Sequence, residues 1–190
     1  IFVNKILAHY TGSTEKNFIE WGKAFAAKKK NPSEVNDYIE NVIQPVLADE
    51  KPKLEAVLIK STWKNTNRGL IAWILKRCEV FAAHICKDDI AKGVDLYQNT
   101  DIEHIEPQSS TELDDSYNHA LGNLTIQEKG FNRANGKLKF DQKLSSYGKS
   151  AFKMTNALHG MPQTGGVTKK AYELFYTAEK WGATEIHDRT

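Results

Sequence analysis

A glutamate stands directly beside a histidine near the end of a short β-prone run, Asp101-Ile102-Glu103-His104-Ile105-Glu106-Pro107-Gln108. Ile102 and Ile105 are β-branched and favour a strand, and Pro107, with no N–H, stops the pairing. Glu103 offers the hard oxygen that a divalent cation such as Mg²⁺ prefers. His104 titrates near neutrality and can take a proton from water. Two later pieces are read with this one. Leu121-Gly122-Asn123-Leu124-Thr125 opens a second short apolar run, and Gly130-Phe131-Asn132-Arg133 opens a helix carrying Asn132, a neutral oxygen ligand. The order is strand, loop, strand, helix, with His, Asn and Asn in sequence. Alternation sends Glu103 and His104 to opposite faces of a strand. They flank one phosphate only if the strand end twists or bends, and Asp101, on the same face as Glu103, is the rival ligand.

These residues, with Phe140 and Lys143 after them, resemble the HNH nuclease domain of modification-dependent restriction enzymes: the Gmr-type enzymes and their relatives in phosphorothioate-sensing phage defence. The Glu-His-Ile-x-Pro-Gln run is also similar to the HNH domain of RNA-guided CRISPR nucleases, where the middle and last Asn are nine apart, as Asn123 and Asn132 are here. The motif core covers residues 101 to 143. The resemblance extends weakly to the whole chain through Trp181 and Ile186-His187-Asp188-Arg189. It implies a ββα-metal core in which Asn123 fixes the loop and orients His104. It also implies a ParB-like nucleotide-hydrolysing domain preceding this one in the full-length protein. Many HNH sites carry His where Asn132 stands. Asn is the poorer ligand for soft metals, which favours Mg²⁺ or Mn²⁺ over Zn²⁺ or Ni²⁺.

The 190 residues, 40% of them hydrophobic, suffice for one domain with a real core, or one domain with a helical extension. No run approaches the ~20 apolar residues of a membrane span. The start without Met and the stop at Thr190 read as a fragment of a longer protein. Cys78 and Cys86 are eight positions apart in one expected helix and cannot bridge each other. Such cysteine use suits a reducing cytosol, and without Cys-x-x-Cys a structural zinc is not expected. Net charge is only +2, but its distribution is uneven. Residues 101 to 115 hold six acids and no Lys or Arg. Residues 129 to 153 hold Lys129, Arg133, Lys137, Lys139, Lys143, Lys149 and Lys153 against Asp141. An acidic block repels DNA unless a cation sits there, and a basic block beside it holds phosphates. Lys143 and Arg133 are candidate phosphate contacts. For Lys137 and Lys139, contact and a solvated face are equally open.

The expected fold is mainly α with a small two-stranded antiparallel sheet, the ββα-metal (HNH) core embedded in a helical domain. Residues 1–98 form a helical region packed on the nuclease core, and 99–190 form the core with C-terminal helices. Residues 1 to 12 finish a helix. A second, holding Phe18, Trp21 and Phe25, closes at Lys28-Lys29-Lys30, and Ser33 caps a third that ends before Pro45. Leu54 to Leu58 is ambiguous between strand and helix. Residues 66 to 86 are apolar nearly all round, which predicts a central buried helix, with Arg77 and His84 lying on it as stems. Asp88 to Leu96, Phe140 to Tyr147, Ser150 to Leu158 and a stretch from Thr168 with Leu174, Phe175 and Trp181 inward follow as helices, and Thr184 caps the last.

The chemistry expected is phosphodiester hydrolysis of foreign (phage) double-stranded DNA by a one-metal HNH endonuclease or nickase. His104 and Asn123 are its catalytic pair, Glu103 and Asn132 hold Mg²⁺ or Mn²⁺, and Arg133, Lys137, Lys139 and Lys143 hold the nucleic acid. A DNA-binding module with a vestigial site and an HNH ribonuclease are the rivals. His9, His119, His159 and His187 lack a partner pattern and read as structural.

Overall fold

The computed structural model describes residues 14–29, 31–86, 98–160 and 175–190. It divides into two compact units, Ile1–Lys60 and Ser61–Thr190. Among the described residues the protein is mostly helical, with one two-stranded antiparallel sheet, as expected.

The first unit carries α1 (Thr14–Lys28), α2 (Pro32–Tyr38), a π-helical turn (Ile39–Ile43) and α3 (Gln44–Lys60). Asn31, not Ser33, caps α2: its Oδ1 accepts from Ser33 N at 3.1 Å and Glu34 N at 3.5 Å. Pro32 stands first in the helix, where a missing N–H costs nothing. The chain does not stop before Pro45. In the π turn the Gln44 N–H bonds Ile39 O, five residues back, and the helix runs on through Pro45 into α3. The ambiguous stretch at Leu54 is helical.

In the second unit, α4 (Arg68–Ile85) starts at Asn67, whose Oδ1 accepts from Gly69 N at 2.8 Å. Strand β1 (Thr100–His104) pairs antiparallel with β2 (Leu124–Glu128), Glu103 opposite Thr125 and His104 opposite Leu124. Between the strands lie the short helix α5 (Asp115–Asn118) and a 3-10 turn (Leu121–Asn123). After them come α6 (Lys129–Asn135), α7 (Phe140–Tyr147), α8 (Lys153–Asn156) and α9 (Ala183–Arg189). Helix α6 packs on both strands, and α4 packs on β2 and α8.

Because these partners cover one side of α4, only one side is buried. Ile71, Ile74, Leu75, Ala82 and Ala83 are inside, while Trp73 and Phe81 are 41% and 55% exposed, so the helix is not buried all round. One core cluster joins Ile105, Phe140, Tyr147 and Leu158, and a second joins Ala82, Cys86, Ala157 and Phe175. Glu79 is buried yet satisfied: its carboxylate accepts the N–H groups of Lys153 and Met154 at the start of α8. Residues 175–182 are not helical, and Gly182, not Thr184, precedes α9. The helices expected at residues 1–12 and 88–96, and the start of the one at Thr168, lie outside the described residues. Among the described residues no helix is long and apolar enough to cross a membrane. Cys78 and Cys86 are not in disulfides.

Helix α9 closes over the turn between the strands. Gly122 N donates to Thr190 Oγ1 at 3.1 Å, and Arg189 Nη1 donates to the carbonyls of Gly122 and Leu124 at 2.7 and 2.6 Å. A Cβ on Gly122 would stand 2.0 Å from Ile186 O. Gly122→Ala therefore forces the helix off the turn and should cost about 1–3 kcal/mol or more of stability. Urea unfolding checks this, and an unchanged midpoint would contradict the contact.

Candidate active site

The end of β1 sends two side chains in opposite directions. Glu103 faces α6 and α7, is 3% exposed, and pairs with Lys143 Nζ at 2.8 Å, while Tyr147 OH donates to its Oε1 at 3.1 Å. Burial pushes the Glu103 carboxyl up, against the pull of the Lys143 ammonium. Lys143 is fully buried, and besides Glu103 it donates to the main-chain carbonyls of His104 at 2.6 Å and Ile105 at 3.2 Å. Its three donors are thereby used. The expected phosphate contact by Lys143 is corrected accordingly: the residue is an internal strut, out of a phosphate's reach.

His104 turns the other way. Its ring meets the edge of Trp63 at a centroid distance of 5.4 Å and that of His119 at 5.8 Å, both nearly perpendicular. Gln108 Nε2 lies 3.3 and 3.1 Å from its two ring nitrogens. Burial, with His119 and the Lys143 charge nearby, lowers the imidazole to about 3, so the ring is neutral at physiological pH.

Asn123 is wholly buried and fully bonded. Its Oδ1 accepts from Glu106 N at 2.8 Å and Trp181 Nε1 at 3.0 Å, and its Nδ2 donates to Glu106 O and Asn118 O, both at 2.9 Å. Ile105 N donates to the Asn123 carbonyl at 2.9 Å. Asn123 thus fastens the two residues that follow His104, and its amide bonds are spent there and on Asn118 and Trp181.

Asn132 lies in the second turn of α6, half-buried, and lines a cavity of about 350 Å³. Asp101, Ile102, Ile126, Trp63 and Lys76 line it too. Trp63 lines this cavity and its ring also meets that of His104. Asp101 and Asn132 line the cavity, whereas Glu103 does not line it and is tied to Lys143 and Tyr147. The donors on the cavity are oxygens that suit a hard divalent cation. Among the described residues no three His, Cys, Asp or Glu side chains gather as a metal cluster. Arg133 and Lys137 are exposed, and Lys139 is ion-paired to Glu112, so part of the basic run meets the acidic block of its own chain.

Several residues of the site had no signal of their own in the sequence. His119 was read as structural, yet it is 7% exposed against His104, 3.5 Å from Asp115 through Nε2, and its buried Nδ1 has no partner. Glu106 Oε1 and Asn118 Oδ1 are likewise buried without partners, so all such atoms among the described residues fall in the loop after His104. The adjacency of His119 to the Leu-Gly-Asn turn was its one available signal. Trp63 had none.

The family model of the GmrSD restriction endonucleases, C-terminal domain, matches residues 48–190, and the chain belongs to that family. No curated protein and no solved structure gave a match.

A histidine held neutral by burial makes stability pH-dependent. Below about 6.5 the unfolded chain binds a proton that folded His104 refuses, so stability falls as pH drops from there towards the folded value of about 3. His104→Gln should flatten the curve in that window, by at most roughly 1.4 kcal/mol per pH unit relative to wild type. Urea unfolding across pH 3.5 to 7 measures the difference (a range of about one proton's titration). Parallel curves would contradict the buried neutral ring.

Proposed function

We propose that this member of the restriction-endonuclease family is a metal-dependent HNH endonuclease or nickase that hydrolyses phosphodiester bonds of foreign, double-stranded DNA. The observation that carries the reading is a neutral, buried His104 held at the end of β1, one tryptophan away from a cavity lined by Asp101 and Asn132. In this reading a ring nitrogen of His104 takes a proton from water, the water oxygen attacks phosphorus, and the bond to the leaving sugar oxygen breaks. Asn123 acts as a positioning residue: it holds residues 105 and 106, and through them the His104 main chain. One Mg²⁺ or Mn²⁺, when bound, neutralises phosphate charge and stabilises the leaving oxygen.

Asn132 is one proposed ligand. The carboxylate ligand is Glu103 by the sequence run and Asp101 by the cavity, and the two differ in what they must give up. Asp101 already lines the cavity with Asn132, whereas Glu103 must exchange the Lys143 ammonium for the ion. By the same family reading, a ParB-like nucleotide-hydrolysing domain of the same protein controls cutting.

Supercoiled plasmid and an RNA of matched length, incubated side by side, test the activity. DNA should be nicked with Mg²⁺ or Mn²⁺, chelator should abolish nicking, and His104→Ala should reduce it by roughly 10²–10⁴-fold. Wild-type rates from a folded His104→Ala protein would sink the assignment, and cleavage of the RNA alone would make the domain a ribonuclease. Mn²⁺ binding followed by paramagnetic resonance separates the ligands without relying on activity. Asn132→Ala should weaken binding, and whichever of Asp101→Asn and Glu103→Gln does the same identifies the carboxylate.

A further inference from the structure

We infer that helix α4 is the second wall of the substrate cleft, where Arg68 and Lys76 hold phosphates of the DNA strand presented to His104, an inference that rests on the nuclease reading above. Arg68, Ala72 and Lys76 are spaced i, i+4 and i+8, so they share one face of the helix over about 12 Å. Ala72 and Lys76 line the same cavity as Asp101 of β1 and Asn132 of α6. Arg68 reaches the same wall through Trp63, which lines the cavity and carries the guanidinium 4.5 Å above its ring. A guanidinium lying over a ring presents its flat face to the aromatic and keeps its in-plane N–H fork for oxygen acceptors, the geometry suited to phosphate. Ala72, between the two cations, is small and leaves room at the centre of the stripe.

Charge argues the same way. Asp101 would repel a phosphate entering this cavity, and Lys76 is the cation among the residues lining it. Within the basic run 129 to 153, Lys143 is buried on Glu103 and Lys139 is paired with Glu112, while Arg133 and Lys137 are exposed. Trp63 joins the two functions: one neighbour is the proposed base, the other the proposed phosphate grip.

The test is duplex DNA affinity across a salt series, with chelator so that nothing is cut. Each lost phosphate contact lowers the salt slope by about one. Neutralising both cations (Arg68→Gln with Lys76→Gln) should therefore lower the slope by about two and weaken binding to every sequence alike. The charge-keeping pair, Arg68→Lys with Lys76→Arg, should restore most of the slope, which a merely structural role would not do. If the neutral pair does not fold, the single variants should each lower the slope by about one. Wild-type slope and affinity in folded neutral variants would overturn the inference. Should those variants still be cut-competent in a His104-dependent way, only the grip is wrong and the nuclease reading stands. A wild-type protein that neither binds nor cuts DNA overturns both.

Discussion

One buried ammonium organises the site. Lys143 brings its charge to the end of β1 and gives its donors to the Glu103 carboxylate and to the carbonyls of His104 and Ile105. Those carbonyls lie where β1 ends and ladder pairing stops, so without Lys143 they would be buried acceptors lacking that donor. An isolated charge is expensive to bury, and the carboxylate opposite it is what makes this one tolerable. On the far side of the same turn Asn123 fastens Glu106 and Ile105 through side chain and main chain. His104 is thus held from both directions by groups that do not bond its ring, leaving the imidazole to face Trp63, His119 and Gln108.

This separation explains how one strand end can serve stability and chemistry together. Alternation along β1 puts Glu103 among helices α6 and α7 and His104 on the opposite side. The interior face is satisfied: Asn135 bonds Gln127, Ser146 bonds Asn135, and Tyr147 bonds Glu103. The outer face is not, since Glu106, Asn118 and His119 each leave a buried atom unpaired.

Much of this was legible in the sequence. The β-branched run, the Gly-Asn turn and the helix from Phe140 are local patterns, and each sits where the pattern puts it. The charge of Lys143 suggests a phosphate contact, whereas its position in the helix places it inside. Phe140, Lys143, Leu144 and Tyr147 fall at i, i+3, i+4 and i+7, the inward stripe of α7, so a lysine in that stripe points to a buried acid. Trp63 and His119 were not legible in this way, since only the tertiary fold brings residues 63, 104 and 119 together. Helix α4 was read as buried all round because Trp73 and Phe81 are apolar. Composition alone cannot tell a helix packed on one side from one packed on all.

The dependence of the site on the buried pair is tested most directly by a double-mutant cycle on Glu103→Gln and Lys143→Met, read by urea unfolding. Lys143→Met alone should cost roughly 3–5 kcal/mol, because it strands a buried carboxylate and two carbonyls. The double variant should cost less than the sum of the singles by about 1 kcal/mol or more. If Lys143→Met stays within about 0.5 kcal/mol of wild type and the two changes simply add, Lys143 behaves as a solvated surface lysine, and the account of how His104 is held is wrong.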